Sequence, residues 1–224
     1  AYTAGVDKVD GILMDIGVSS KQLDDPDRGF SYRYDVKLDM RMNTEQKISA
    51  YDVVNTYSEE QLSKIIFEYG EERHARKIAK LIVEERKSSP IEKTSDLITL
   101  IKRAYPERAA KHPAKKTFQA IRIEVNRELE VLENAMSKAT ELLKVSGRLA
   151  IITFHSLEDR IVKNKFKDLA TACKCPKDIP ICVCGGVKKF EIITKKPIIP
   201  VDDELKNNNR AHSSKLRILE RILD

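Results

Sequence analysis

Val9-Asp10-Gly11-Ile12-Leu13-Met14-Asp15-Ile16-Gly17-Val18-Ser19-Ser20-Lys21-Gln22-Leu23-Asp24-Asp25 is the stretch that decides the fold. Its apolar run ends on a carboxylate, and a glycine and small polar residues follow at once. A short apolar run bounded by turn residues reads as a buried strand of a parallel sheet. Such sheets bind ligands beyond the carboxyl ends of their strands, which makes Asp15 the first candidate binding residue. The plainer alternative is that Asp15 caps the segment after Val18.

Working outward, Arg148 to Phe154 reads as a second buried strand, ending in His155-Ser156-Leu157-Glu158-Asp159. Ser156 and Asp159 have the spacing of a capping box for a helix through Ile161, Phe166 and Leu169. If both strands share one parallel sheet, Asp15 and His155 stand at the same edge. His155, Ser156 and Asp159 together suggest a hydrolase, but three residues within one turn rarely converge as a triad does. Phe190 to Thr194 reads as a strand, and Lys215 to Ile222 as a strand or a short helix.

From Ser49 to Ala104 the apolar spacing is helical. Ser58 and Gln61 make a capping box for a helix closed by Gly70. A second helix runs from Glu71 to Lys87, and Thr94 or Ser95 caps a third from Leu97 to Ala104. Lys116 to Lys144 is one or two longer helices stopped by Gly147. With no strand among the helices, the fold class is α/β with an inserted α-helical domain. The expected division is 1–43 and 126–224 for the sheet domain and 44–125 for the insertion.

The 224 residues are 41% hydrophobic and 34% charged, as in a soluble globular protein with a solvated surface. No apolar run approaches the roughly 18 residues that span a bilayer, so no membrane is implied and the expected address is cytoplasmic. The formal charge is +6, and between Thr99 and Arg127 eight basic residues face two acidic ones. Positive charge clustered beside a ligand-binding sheet suggests a polyanion such as nucleic acid, against the alternative of a solvated helix face. Arg28, Arg41, Lys111, Lys115 and Lys116 are the candidate phosphate contacts. The sequence allows a homodimer without requiring one.

Cys173, Cys175, Cys182 and Cys184 form two Cys-x-Cys pairs. They read either as a four-thiolate zinc site or as reduced cysteines in a Pro-rich loop, and disulfides are improbable in the cytosol. The pair spacing departs from the more usual one, in which two residues separate the cysteines, and no metal is assigned on sequence alone.

The opening stretch, with Arg28-Gly29-Phe30-Ser31, Leu38-Asp39-Met40-Arg41-Met42 and Tyr69-Gly70-Glu71-Glu72, resembles the small-subunit rRNA cytosine N4-methyltransferases, the RsmH or MraW family. The likeness continues through the run from His112 to Asn126, Gly147-Arg148-Leu149, Phe154-His155-Ser156-Leu157-Glu158-Asp159-Arg160, Cys182-Val183-Cys184-Gly185 and Arg210-Ala211-His212-Ser213-Ser214-Lys215-Leu216-Arg217. It implies a Rossmann-like class I methyltransferase sheet, its C-terminal portion, interrupted by a helical domain that engages RNA. It also implies S-adenosyl-L-methionine as cofactor, with Asp15 and Gln22 in contact with it. The substrate it implies is cytosine 1402 of the 16S rRNA in the small ribosomal subunit. Asp15 and His155 are then the candidate catalytic residues, and Phe30, Tyr32 and Phe154 the candidates for stacking on the target base. The family's glycine-rich loop, ribose-holding acid and a further aromatic contact precede the Asp15 strand and are not in this sequence. The chain is therefore expected to be the back two-thirds of such an enzyme, or in practice a truncated, non-catalytic RNA-binding fragment of one.

Overall fold

The computed structural model describes residues 5–106, 113–173, 175 and 184–224. The chain forms two compact units, Ala1–Gly17 with Leu129–Asp224 and Val18–Glu128.

Among the described residues, the first unit is built on a four-stranded sheet, β1 (Val9–Asp15), β2 (Leu143–Thr153), β3 (Phe190–Ile192) and β4 (Lys215–Arg221), in the order β1-β2-β4-β3. β1 and β2 are parallel, and β4 runs antiparallel to both β2 and β3. A parallel pair extended by an antiparallel hairpin is a Rossmann-like arrangement. Leu149, Ile151 and Leu219 on the sheet, Leu132 and Met136 on one helix and Val162 and Phe166 on another form its core. Those helices are α7 (Glu128–Leu142) and α8 (Ser156–Ala170).

The β1 strand is less covered than its sequence suggests. None of its residues is fully buried, and Leu13 is 67% exposed. It lies at an edge of the described sheet, so Ile12, Met14 and Ile16 pack on the core while Leu13, one step out of phase, faces away. The β1–β2 register also slips near its start: Val9 pairs with Leu143, but Gly11 with Arg148, and from there the pairing is regular to Asp15 with Ile152. Gly147 sits in this slip. A Cβ there would meet Lys144 O at 2.8 Å and Val9 O at 3.1 Å. The glycine expected to stop a helix therefore serves a bulge inside β2, and α7 already ends at Leu142.

The second unit is helical: α1 (Ser20–Asp24), α2 (Ala50–Thr56), α3 (Glu59–Gly70), α4 (Ala75–Glu85), α5 (Thr94–Ala104) and α6 (Ala114–Asn126). Its core joins Val53, Leu62, Ile66, Ile78, Ile82, Ile101 and Phe118 to Phe30, Leu38 and Met40 from the long segment before α2. The expected Ser58–Gln61 capping box is present at α3. At α5 the N-cap is Lys93, one residue before Thr94, and the Asp96 carboxylate accepts from Lys93 N at 3.0 Å. The Thr94 hydroxyl is used elsewhere: it donates to Tyr34 O and accepts from Val36 N, tying that segment to the helices. Of the one or two helices expected over this stretch there are two, because Arg127 takes a left-handed conformation at φ 49 between α6 and α7.

Candidate functional site

In the sheet unit, the parallel register puts Asp15 and the residues after Thr153 at the same edge, and Ile16 N donates to Ile152 O at 3.3 Å just past Asp15. Asp15 is exposed. Gly17 follows in a left-handed conformation at φ 98. A Cβ there would stand 3.8 Å from Glu158 Oε1 and 3.9 Å from Phe154, so the chain leaving β1 passes across the β2–α8 corner.

That corner is held by a one-residue shift of the expected cap. His155, not Ser156, is the N-cap of α8. Its Nδ1 accepts from Glu158 N at 3.4 Å, and the Glu158 carboxylate accepts from Phe154 N at 2.8 Å and His155 N at 3.2 Å. Because Nδ1 is the acceptor, the proton of a neutral imidazole belongs on Nε2. That atom is buried and lies 3.1 Å from Glu158 Oε1, without the alignment of a hydrogen bond. Burial alone would raise the Glu158 carboxyl. The adjacent imidazole and the two backbone amides outweigh it and hold the group below its ordinary value.

One residue further, Asp159 is gripped by Arg217 of β4. Nε lies 2.6 Å from Oδ1 and a terminal guanidinium nitrogen 3.2 Å from Oδ2, while Lys215 Nζ reaches Oδ2 at 3.2 Å. Burial opposes ionisation here too, and these two cations overcome it, lowering the Asp159 value. The hydrolase alternative finds no support in this geometry, since Asp159 turns to β4 and His155 to its own helix. Phe154 remains at the corner as an aromatic neighbour of the Asp15 turn.

In the helical unit, Gln22 closes a capping box at α1: its side-chain oxygen accepts from Ser19 N at 2.9 Å, and Ser19 Oγ accepts from Gln22 N at 3.2 Å. The box uses the carbonyl and leaves the amide NH2 outside it. Arg28 donates to Arg41 O at 2.7 Å and Met42 O at 3.2 Å and lies over the Phe30 ring. Arg41 forms a two-pronged pair with Asp39, at 2.9 and 2.7 Å, and donates to Gln46 O. Both guanidinium groups are thus engaged within the fold. Phe30 is a core residue, and Tyr32 meets Phe118 edge-on at 6.0 Å.

Between these arginines, Met40 is fully buried in a left-handed conformation at φ 58. Asn126, at the end of α6, donates to Met40 O at 2.8 Å and accepts from Met42 N at 2.7 Å. Asn126 is the organising residue that sequence reasoning passed over; nothing in its spacing separates it from a helix-terminal asparagine. Lys115 and Lys116 are exposed in the first turn of α6, and Lys116 Nζ donates to Glu71 O at 2.6 Å. Lys111 lies outside the described residues, as does Cys182. No described helix is long and apolar enough to cross a membrane.

Comparison with known proteins bears on this geometry. A family model described as the MraW methylase family matches residues 1–222. The ribosomal RNA small subunit methyltransferase H of Fusobacterium nucleatum subsp. nucleatum is 97% identical over 224 residues, covering 100% of this chain and 71% of that protein. Proteins of the same name from Clostridium botulinum (strain Kyoto / Type A2) and Clostridioides difficile (strain 630) are 57% and 56% identical. Each covers 97% of this chain and is itself covered to 71%.

Proposed function

The chain belongs to the MraW methylase family, and from that premise we propose that it methylates the exocyclic N4 of a cytosine in the 16S rRNA of the small ribosomal subunit, using S-adenosyl-L-methionine. The observation that carries the proposal is the shared edge of Asp15 and His155 in a chain 97% identical to a small-subunit rRNA methyltransferase.

The cofactor, when bound, supplies an electrophilic methyl group. The residues suit it in two respects. An exposed carboxylate at the carboxyl end of a parallel strand can face a cationic ligand, and the open turn at Gly17 lets a ligand approach the backbone. Asp15 is one proposed cofactor contact, and Gln22, through the amide NH2 that its capping box leaves over, is another.

The cytosine amine is a poor nucleophile because its lone pair is delocalised into the ring, so the protein must hold it in line with the methyl donor. A carboxylate accepting one amine hydrogen favours the pyramidal, nucleophilic nitrogen. In this reading Asp15 takes that part, Phe154 supplies the flanking ring, and a second polar contact from His155 would require its buried Nε2 to turn from Glu158 to the base.

Functionally, 44–125 then recognises RNA while 1–43 and 126–224 serve methyl transfer, although 18–43 folds with the helices. Lys115 is the first phosphate contact, with Lys111 and Lys116 beside it in sequence. Arg28 and Arg41 shape the 38–42 segment, and a direct phosphate role would require them to exchange their present partners. A cytoplasmic address belongs to the same proposal.

The test is incubation of the chain with methyl-labelled S-adenosyl-L-methionine and small subunits, followed by nucleoside analysis. Label in N4-methylcytidine is expected. Label on a ring carbon or another base overturns the reading, and RNA binding without methyl transfer or cofactor binding favours the non-catalytic RNA-binding alternative.

A further inference from the structure

We infer that Cys173, Cys175 and Cys184 bind a zinc ion that clips the end of α8 to the start of β3, a site separate from the methyl-transfer edge. The three Sγ atoms lie within 4.8 Å of one another. Cys184 Sγ stands 3.8 Å from Cys173 Sγ. A disulfide would hold two sulfurs about 2.05 Å apart. Two thiolates on one tetrahedral zinc, with Zn–S of about 2.3 Å, stand roughly 3.8 Å apart. The observed spacing excludes a disulfide and fits shared ligands, and the third sulfur within 4.8 Å of both completes a donor set that a thiol pair in contact does not need.

The backbone is shaped for the approach. Gly185, directly after Cys184, is left-handed at φ 57. At Gly186 a Cβ would fall 1.8 Å from Ala172 O and 3.3 Å from Cys184 Sγ. The two cysteine-bearing segments therefore touch so closely that only glycine fits between them, and this contact brings Cys173 and Cys184 together. Cys173 and Cys184 are exposed and Cys175 half-buried, so an ion can enter from solvent.

Three thiolates make a soft donor set, which selects against magnesium, calcium and manganese. Among soft-site metals, zinc takes thiolates in a tetrahedron without redox chemistry and serves as a structural clip. Each coordinating thiol releases its proton to solvent, so affinity rises with pH. The remaining thiol of the sequence, Cys182, lies outside the described residues; the site stands on the three sulfurs whose positions are known.

The reduced, metal-stripped chain is titrated with cobalt(II) as a spectroscopic probe and then with zinc. A thiolate-to-cobalt charge-transfer band saturating at about one equivalent and bleached by zinc is expected. Cys173→Ser and Cys184→Ser should each weaken zinc binding by at least about 100-fold, more than the 10–100-fold typical of changes around a metal's ligands. No band in reduced protein, or a band that Cys184→Ser leaves intact, overturns the proposal. X-ray absorption of the zinc-loaded, unsubstituted chain decides without any variant: sulfur neighbours at about 2.3 Å are expected, and a shell of nitrogen and oxygen alone overturns it.

Discussion

Arg217 of β4 grips Asp159 of α8 through contacts of 2.6 and 3.2 Å, with the two side chains only 9% and 12% exposed. This pair joins the first turn of α8 to the far side of β2. Removing one partner of a buried ion pair leaves an uncompensated charge and costs about 3–5 kcal/mol. Arg217→Met should fall at the low end, because Lys215 still reaches Asp159. Asp159→Leu combined with Arg217→Met should recover most of the loss. Urea denaturation of the three variants checks this, and a double variant no more stable than the singles would refute the coupling.

Acid should weaken the same corner. Glu158 and Asp159 both have folded values below their ordinary 4.5 and 3.8. Their contribution is fully present above those ordinary values and is lost as pH falls through the lower folded ones. Glu158→Gln should cost about 1.5–3 kcal/mol near neutrality, where a charged acceptor of two amides is lost. The gap between this variant and the parent should narrow as pH drops below 4.5. A gap independent of pH in denaturation curves would contradict the assignment.

At the α3–α6 contact, Gly70→Ala would place a Cβ 2.7 Å from Lys116 O. Alanine's better helix propensity is worth about 1 kcal/mol. A backbone carbonyl cannot swing aside as a side chain can, so the overpacking term of about 1–3 kcal/mol wins. The melting temperature should fall by several degrees, as calorimetry would show.

Charge reversal at Lys115 should weaken RNA binding and lower the salt slope by roughly 1, the signature of one lost phosphate contact. The effect of Lys116→Glu should be smaller on the slope but should also cost stability, since Lys116 caps the Glu71 carbonyl at the end of α3. Filter binding across a salt series separates the two.

Asp15→Asn removes a charge from an exposed side chain. It should leave the melting temperature unchanged while weakening S-adenosyl-L-methionine binding by roughly 10–100-fold, the equivalent of one charged hydrogen bond. Calorimetry reads both quantities.

The apolar runs ending at Asp15 and Thr153 and the Ser58–Gln61 box were readable in the residues because each rests on local periodicity or local chemistry. The cap of α8 was misread by one position. Ser156 and Asp159 satisfy the usual pattern, whereas an imidazole acceptor paired with Glu158 does not announce itself. Arg28 and Arg41 look like free surface cations in sequence, and only the folded segment shows their commitment to Met42 O and Asp39. Residues 30–42 alternate apolar and polar positions as a strand would, yet they form turns and a single isolated bridge, so their period misleads about their place. Their place with the helices depends on Phe30, Leu38 and Met40 meeting partners distant in sequence. The tight approach at Gly186 has the same origin, since neither glycine nor cysteine spacing reveals which backbone lies opposite.

The slip between Val9 and Gly11 divides the parallel pair into a tolerant half and an intolerant one. Around the exposed Val145 and Ser146 the ladder is already out of register, so an added residue there disturbs no strand pairing, while Gly147 with its close backbone approach must stay. Between Arg148 and Ile152 a single deletion would turn every later side chain of the strand over, sending Leu149 and Ile151 to solvent and dragging His155 off its rim. Engineered length changes in this sheet therefore belong at its amino-terminal end.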